Sequence, residues 1–325
     1  MKRRSDFNQT DFLAQPDIEQ FVTWLIKTLP TIQAHLKFQR SSFVPQEIDE
    51  SVQGIEAVTA KYQWKGDWAT VSALLKGYRA DLRAAVQAGN DLKALEVCSA
   101  ILDWGNVETS KKVLEELQLK NKLVEHLIVR AALLNPAGKQ KLRDLSMNVF
   151  YMFNSGLTKV YALLCPDGSP IYDGRVGAAI AMLYHLYRAE GEGVGSTNHR
   201  CFAWGPGLED VKAEHLRHIR NPALLGLGYK GTPQLSYQRP HLWAQRQLIL
   251  GWIIRAVLQE TNWYGGSELD IGERCHAFEA GLFVLGYDLR CLLPNGWRDI
   301  PDPKRRASAR NQAAAATEPP VLGRC

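Results

Sequence analysis

Residues 147–183 read MNVFYMFNSGLTKVYALLCPDGSPIYDGRVGAAIAML, and this stretch decides the class of fold. Leading into it, Leu142, Leu145, Val149 and Met152 or Phe153 are apolar at helical spacing, which predicts a helix over 139–153. Asn154, Ser155 and Gly156 then supply a tight turn, and SGLTKVYALL predicts a second, short apolar helix that carries Lys159. Pro166, Asp167 and Gly168 turn the chain again. Pro170, Ile171 and Tyr172 read as extended, and Asp173 is placed to cap a third helix with its carboxylate. A helix, a glycine turn and another helix make a helix-hairpin-helix candidate. In such a unit backbone amides at Asn154, Ser155 and Gly156 can hold a DNA phosphate, with Thr158 and Arg175 beside them.

Working outward, periodic apolar spacing predicts further helices over 16–29, 45–60, 67–88, 90–103, 108–118, 119–134, 158–165, 173–189, 208–219, 241–260 and 271–285. Hardly any stretch alternates with period two, so the class reading is all-α. Long glycine- and proline-bearing loops are expected over 190–207 and 222–240. Residues 1–15 read as a flexible N-terminal tail, 16–298 as the helical region with the hairpin unit at about 140–190, and 299–325 as a disordered tail mixing Pro, Ala and Arg.

Composition narrows the function classes. A chain of 325 residues with 46% hydrophobic and 22% charged residues is long enough for a substantial core. Its longest apolar stretch, around 247–258, is interrupted well short of the ~20 residues of a bilayer crossing. Met1 to Arg4 is basic, but polar residues follow where a secretory signal would be apolar, so a cytoplasmic protein is expected. The six cysteines are scattered without CxxC pairs, and no zinc or iron–sulfur spacing occurs, so neither a metal nor a cofactor is expected. A formal net charge of +5 permits a polyanionic partner without demanding one. Gly226, Gly228 and Gly231 match GxGxxG, yet no strand precedes them and Pro233 follows, so they read as loop. His215 and His218 lack a third ligand, and no P-loop, GxSxG or kinase signature is present.

The segments SGLTKVYALL and IYDGRVGAAI resemble the helix-hairpin-helix DNA glycosylases, in particular the lysine-bearing members such as the 8-oxoguanine glycosylases and endonuclease III. In those enzymes a hairpin is followed by a lysine nucleophile, and an aspartate opens the next apolar helix. The resemblance implies that Lys159 is the nucleophile and Asp173 the essential carboxylate. It covers about residues 140–190. The hairpin here has a single glycine, the interval from Lys159 to Asp173 is shorter than in most members, and a strand-rich N-terminal domain has no counterpart, which implies a compact, divergent branch.

The chemistry gives such a pair a purpose. A nucleobase departs from a sugar with developing positive charge, which a carboxylate at Asp173 stabilises while an uncharged Lys159 amine attacks C1′ and forms a Schiff base. The lysine must first lose its proton, and burial between apolar helices favours that loss. An extruded base also needs an aromatic face and polar edge readers, for which Asp103, Trp104, Trp243 and Gln247 are the candidates, with Gln245 nearby. Arg200, Arg217, Arg220, Lys230 and Arg239 are further candidates for phosphate contact. Glu279, in HAFEAGLFVLGYDL, faces either core or pocket. The expected partner is double-stranded DNA carrying a damaged or modified base, an oxidised purine by resemblance. Two other readings stand beside this one: a helix-hairpin-helix DNA-binding protein without chemistry, and a helical protein-interaction module.

Overall fold

In a computed structural model, residues 3–191, 195–205, 218–227 and 231–300 are described. The chain is mostly helical, with one small antiparallel hairpin. In order it forms α1 (Gln9–Leu13), α2 (Pro16–Thr28), β1 (Gln33–Phe38), β2 (Ile48–Gln53), α3 (Ile55–Thr59), α4 (Trp68–Gln87), α5 (Asp91–Trp104), α6 (Lys111–Leu119) and α7 (Leu123–Leu133). It continues with α8 (Ser155–Leu164), α9 (Gly174–Ala189), α10 (Pro240–Gln259), α11 (Ile271–Leu285) and α12 (Gly296–Asp299).

Most helix starts follow from capping chemistry. Asp67 accepts from the Thr70 amide, Asn90 from Lys93 and Asp270 from Glu273, each satisfying an amide that the first turn leaves open. The start of α7 is capped from a distance, since both Asp91 oxygens accept from Leu123 and Val124. The central helices α8, α9, α10 and α11 are apolar on nearly every face and are buried accordingly. Helix α11 packs on α3 and α9, α8 on α4, α5 and α7, and α2 on α9 and α10.

Four expectations need correction. The N-terminal segment is not a tail: a capping box between Asn8 and Asp11 starts α1, Phe12 is fully buried against Trp252, and the Leu142 amide donates to the Phe7 carbonyl. The all-α class holds with one small sheet, in which β1 pairs with β2 from Gln33↔Gln53 to Phe38↔Ile48, and this overturns the helix expected over 45–60. Residues 45–60 are therefore a strand and a short helix. Gly54 separates them at φ 86°, where a Cβ would lie 2.7 Å from the Pro30 carbonyl oxygen.

The third correction concerns the hairpin unit. Over 139–153 the chain makes only a 3₁₀ turn, Leu142–Asp144, followed by irregular turns. The Asp144 carboxylate folds back to accept from the Lys141 amide and closes a single turn instead of propagating a helix. Phe150 and Phe153 then turn inward from irregular backbone, Phe153 stacking on Tyr161 at 5.8 Å. Lastly, Asp299 ends α12 rather than opening the tail, and the Ile300 carbonyl accepts from Arg290. The remainder of the expected tail, 301–325, and most of the helix expected over 208–219 lie outside the described residues, as do His215, Arg217 and Lys230.

Candidate active site

The first turn of α8 is set by Asn154. Its Oδ1 accepts from the Gly156 and Leu157 amides at 3.0 Å each, and its side chain is bonded to Ser110 in the interior. Gly156 is a helix residue here. A Cβ on it would meet Leu102 Cδ2 at 2.7 Å and Val107 Cγ1 at 3.0 Å, so its small size serves the packing of α8 on the end of α5. Thr158 is fully buried, its hydroxyl donating to the Ser155 carbonyl. The expectation that Asn154, Gly156 and Thr158 contact DNA is thus corrected: the Gly156 amide is already satisfied by a side chain, and all three residues are buried. Ser155 is half-buried at the helix start.

Lys159 lies one turn further along. Only 6% exposed, it donates from Nζ to the Ser155 carbonyl at 2.8 Å. Its methylene chain runs past Gly105, where a Cβ would sit 2.7 Å from Lys159 Cδ. Glycine at 105, immediately after Asp103 and Trp104, therefore leaves room for the lysine's methylene chain. Burial pulls the Lys159 ammonium below its ordinary range, the negative charges of Asp173 and Glu279 oppose that shift, and Arg175 reinforces it.

Asp173 is 7% exposed and caps α9, its Oδ1 accepting from the Arg175 amide at 2.8 Å and the Val176 amide at 3.0 Å. Its Oδ2 stands 3.7 Å from Arg175 Nη1. Arg175 is not a free phosphate ligand: its guanidinium carbon lies 4.9 Å from the Trp64 ring centre, 4.9 Å from Phe283 and 4.5 Å from Tyr287. Phe43 stacks on the other side of this cluster, 4.5 Å from Trp64 with the ring planes 4° apart. A cation held among aromatic rings is a rigid support for the aspartate.

A second carboxyl completes the cluster. Glu279, on α11 and 7% exposed, accepts through Oε2 from the Ile171 amide at 2.6 Å and lies 3.1 Å from His276 Nδ1. Burial pushes its carboxyl well above the usual carboxylate range; the Ile171 amide works against the shift and the Asp173 charge adds to it. Burial also lowers His276, to about 3, so a neutral imidazole shares a hydrogen bond with Glu279 through Nδ1. The signal for Glu279 was present in the sequence, as an acid within the apolar run AFEAGLFVL. The meeting of Trp64 with Phe283 and Tyr287 around Arg175 had no local signal, because it joins chain segments far apart in sequence.

The four base-pocket candidates divide. Asp103 and Trp104 end α5, next in sequence to the Gly105 that Lys159 passes; the exposed Asp103 side chain pairs with Lys111, and the Trp104 indole nitrogen is buried without a partner among the described residues. Trp243 and Gln247 belong elsewhere. The Trp243 indole donates to the Tyr172 carbonyl at 2.8 Å, and Gln247, fully buried, donates to Ser169 Oγ at 3.0 Å and the Thr158 carbonyl at 3.4 Å. Both therefore tie α10 to the backbone that carries the site, and Gln247 is corrected from base reader to core fastener.

Among the described residues no helix is long and apolar enough to cross a membrane, and no group of three or more His, Cys, Asp or Glu is arranged to hold a metal. Compared with family models, curated proteins and solved structures, the chain matches none.

Proposed function

We propose that this chain is a DNA glycosylase in which Lys159 attacks C1′ of a damaged or modified nucleotide and displaces the base. The observation that carries the reading is the environment of Lys159: a buried amine whose ammonium form is disfavoured, within electrostatic reach of Asp173 and Glu279. A lysine kept for surface charge has no reason to be there, since burying a cation is costly. The amine lone pair forms the bond to C1′ as the C1′–N bond breaks and the base leaves with that electron pair. Asp173 stabilises the positive charge that develops on the sugar. Loss of a proton from the attached nitrogen and opening of the sugar ring give an imine, from which β-elimination can nick the strand.

Duplex DNA bearing a modified base is the proposed partner, with oxidised purines as the leading class by resemblance to the lysine-bearing glycosylases. The compartment proposed is the cytoplasm. A non-catalytic reading, in which Lys159 only contacts phosphate, leaves the disfavoured ammonium without a purpose, because a phosphate ligand is better served by a charged lysine. The test is borohydride trapping on a panel of lesion duplexes: wild type becomes covalently linked to its substrate and Lys159→Gln does not.

A further inference from the structure

Away from Lys159, a cavity of about 260 Å³ opens between residues 233–239 and the first half of α10. Arg239, Trp243 and Arg246 line it at helical spacing, and Gln234, Ser236 and Gln238 face them. Its outer wall is held in place: the Trp204 amide donates to the Pro233 carbonyl at 3.2 Å and the Leu235 amide to the Trp204 carbonyl at 2.8 Å. Among the described residues no carboxylate lines the cavity.

Arg246 is the unusual member. Two other arginines of the interior show the contrast: Arg274 donates to the Leu258, Thr261 and Trp263 carbonyls, and Arg290 pairs with Asp288 at 2.8 Å. Arg246 has no hydrogen bond or ion pair among the described residues, and its Nε is buried without an acceptor. Burial disfavours its cation, and of its charged neighbours Arg4 adds repulsion. A half-buried guanidinium with neither acceptor nor counter-charge is costly by itself, and an anion in the cavity relieves that cost. Beside the cavity, Tyr237 is 73% exposed and packs on Trp243 at 5.8 Å. Two arginines next to an exposed aromatic ring suit a nucleic-acid strand, with phosphate on the cations and sugar or base on the ring.

We propose that this cavity is a phosphate-binding site for a nucleic-acid backbone, with Arg246 and Arg239 as its cations and Tyr237 as its flanking platform. The proposal rests on the DNA reading for the source of the phosphate, but not on any chemistry at Lys159.

The test is binding of the full chain to an undamaged duplex and to a single strand at several salt concentrations, with inorganic phosphate as a separate probe. Arg246→Gln should weaken oligonucleotide binding about 3- to 30-fold and reduce the slope of log K against log salt by about 1, and Arg239→Gln/Arg246→Gln by about 2. Arg246→Lys should recover most of the slope. Because Arg246 is unpaired, Arg246→Gln should melt no lower than wild type, which separates lost binding from lost folding. Wild-type affinity and salt slope in the double variant would overturn the proposal. So would a result in which inorganic phosphate binds wild type but not Arg246→Gln while oligonucleotide binding is unchanged, since the ligand would then be free phosphate. Trapping is not read in this experiment, so failure here leaves the Lys159 assignment standing, and failed trapping leaves this one standing.

Discussion

Two polar seams run through the interior at similar depth, and they differ in kind. Along α10, Gln247 and Trp243 are neutral and spend their donors on Ser169, Thr158 and Tyr172. Across α8, α9 and α11, Lys159, Asp173, Arg175 and Glu279 are ionisable, and burial works against the charged forms of Lys159 and Glu279. The first seam is explained by the fold alone, because a buried donor must be paired. The second is explained only in part: Asp173 and Glu279 also serve the Arg175, Val176 and Ile171 amides, but a buried amine at Lys159 costs more than an apolar side chain of similar volume. A buried ionisable cluster of this kind is a candidate site, whereas buried polarity by itself is not.

The largest effect that sharpens this contrast is at Asp173. Asp173→Asn keeps an oxygen to accept from the Arg175 and Val176 amides, so the cap survives, while the negative charge disappears. Base excision in single turnover should fall by about 10² or more, with an unchanged melting temperature. A wild-type rate would reduce Asp173 to a helix cap.

The neutral seam should respond in the opposite way. Gln247→Leu strands the Ser169 hydroxyl and the Thr158 carbonyl, and should cost about 1–3 kcal/mol in denaturant unfolding while leaving lesion preference untouched. A changed preference among lesions at unchanged stability would put Gln247 back in a base pocket.

Smaller, and dependent on pH, is the effect at Glu279. Its folded carboxyl holds a proton to higher pH than the unfolded chain does, so this group's contribution to stability is intact below its unfolded value and falls as pH rises towards the folded one. The loss runs at about 1.4 kcal/mol per pH unit across that window. Glu279→Gln imitates the protonated acid and can still accept from Ile171 and bond to His276. Thermal melts of the two proteins should therefore coincide near pH 4 and diverge by pH 8, with the variant higher. Coincidence at both pH values would contradict a buried, proton-holding Glu279.

The smallest effect is expected at Lys159 itself. With the ammonium disfavoured in the fold, the unfolded chain binds its proton more tightly, so this residue's contribution to stability rises with pH towards the ordinary lysine value. Lys159→Met should accordingly melt about 1–3 °C higher at pH 7, an advantage that shrinks by pH 10. A variant melting well below wild type would make the lysine a structural element.

How far these seams were legible in the sequence depends on range. The cap at Asp173 and the apolar helices on either side of it rest on contacts within a few residues, and spacing alone reveals them. The expected helix over 139–153 is absent, because Asp144 closes its turn locally, and Asn154 takes the Gly156 amide that a phosphate was expected to take. Strand β2 was hidden by Asp49, Glu50 and Ser51, which leave too few apolar residues to show an alternation. The aromatic clamp on Arg175 draws Trp64, Phe283 and Tyr287 from separate parts of the chain, and no local pattern reports such a meeting.

The central claim is that Lys159 is buried in order to act as an amine. Borohydride trapping with peptide mapping tests it most directly: the full chain is incubated with duplexes carrying oxidised purines, other modified bases and a plain abasic site. The account predicts a covalent adduct on the peptide containing Lys159, retained in Gln247→Leu and absent in Lys159→Gln. An adduct on any other lysine, or no adduct from wild type on any of these duplexes, would contradict it.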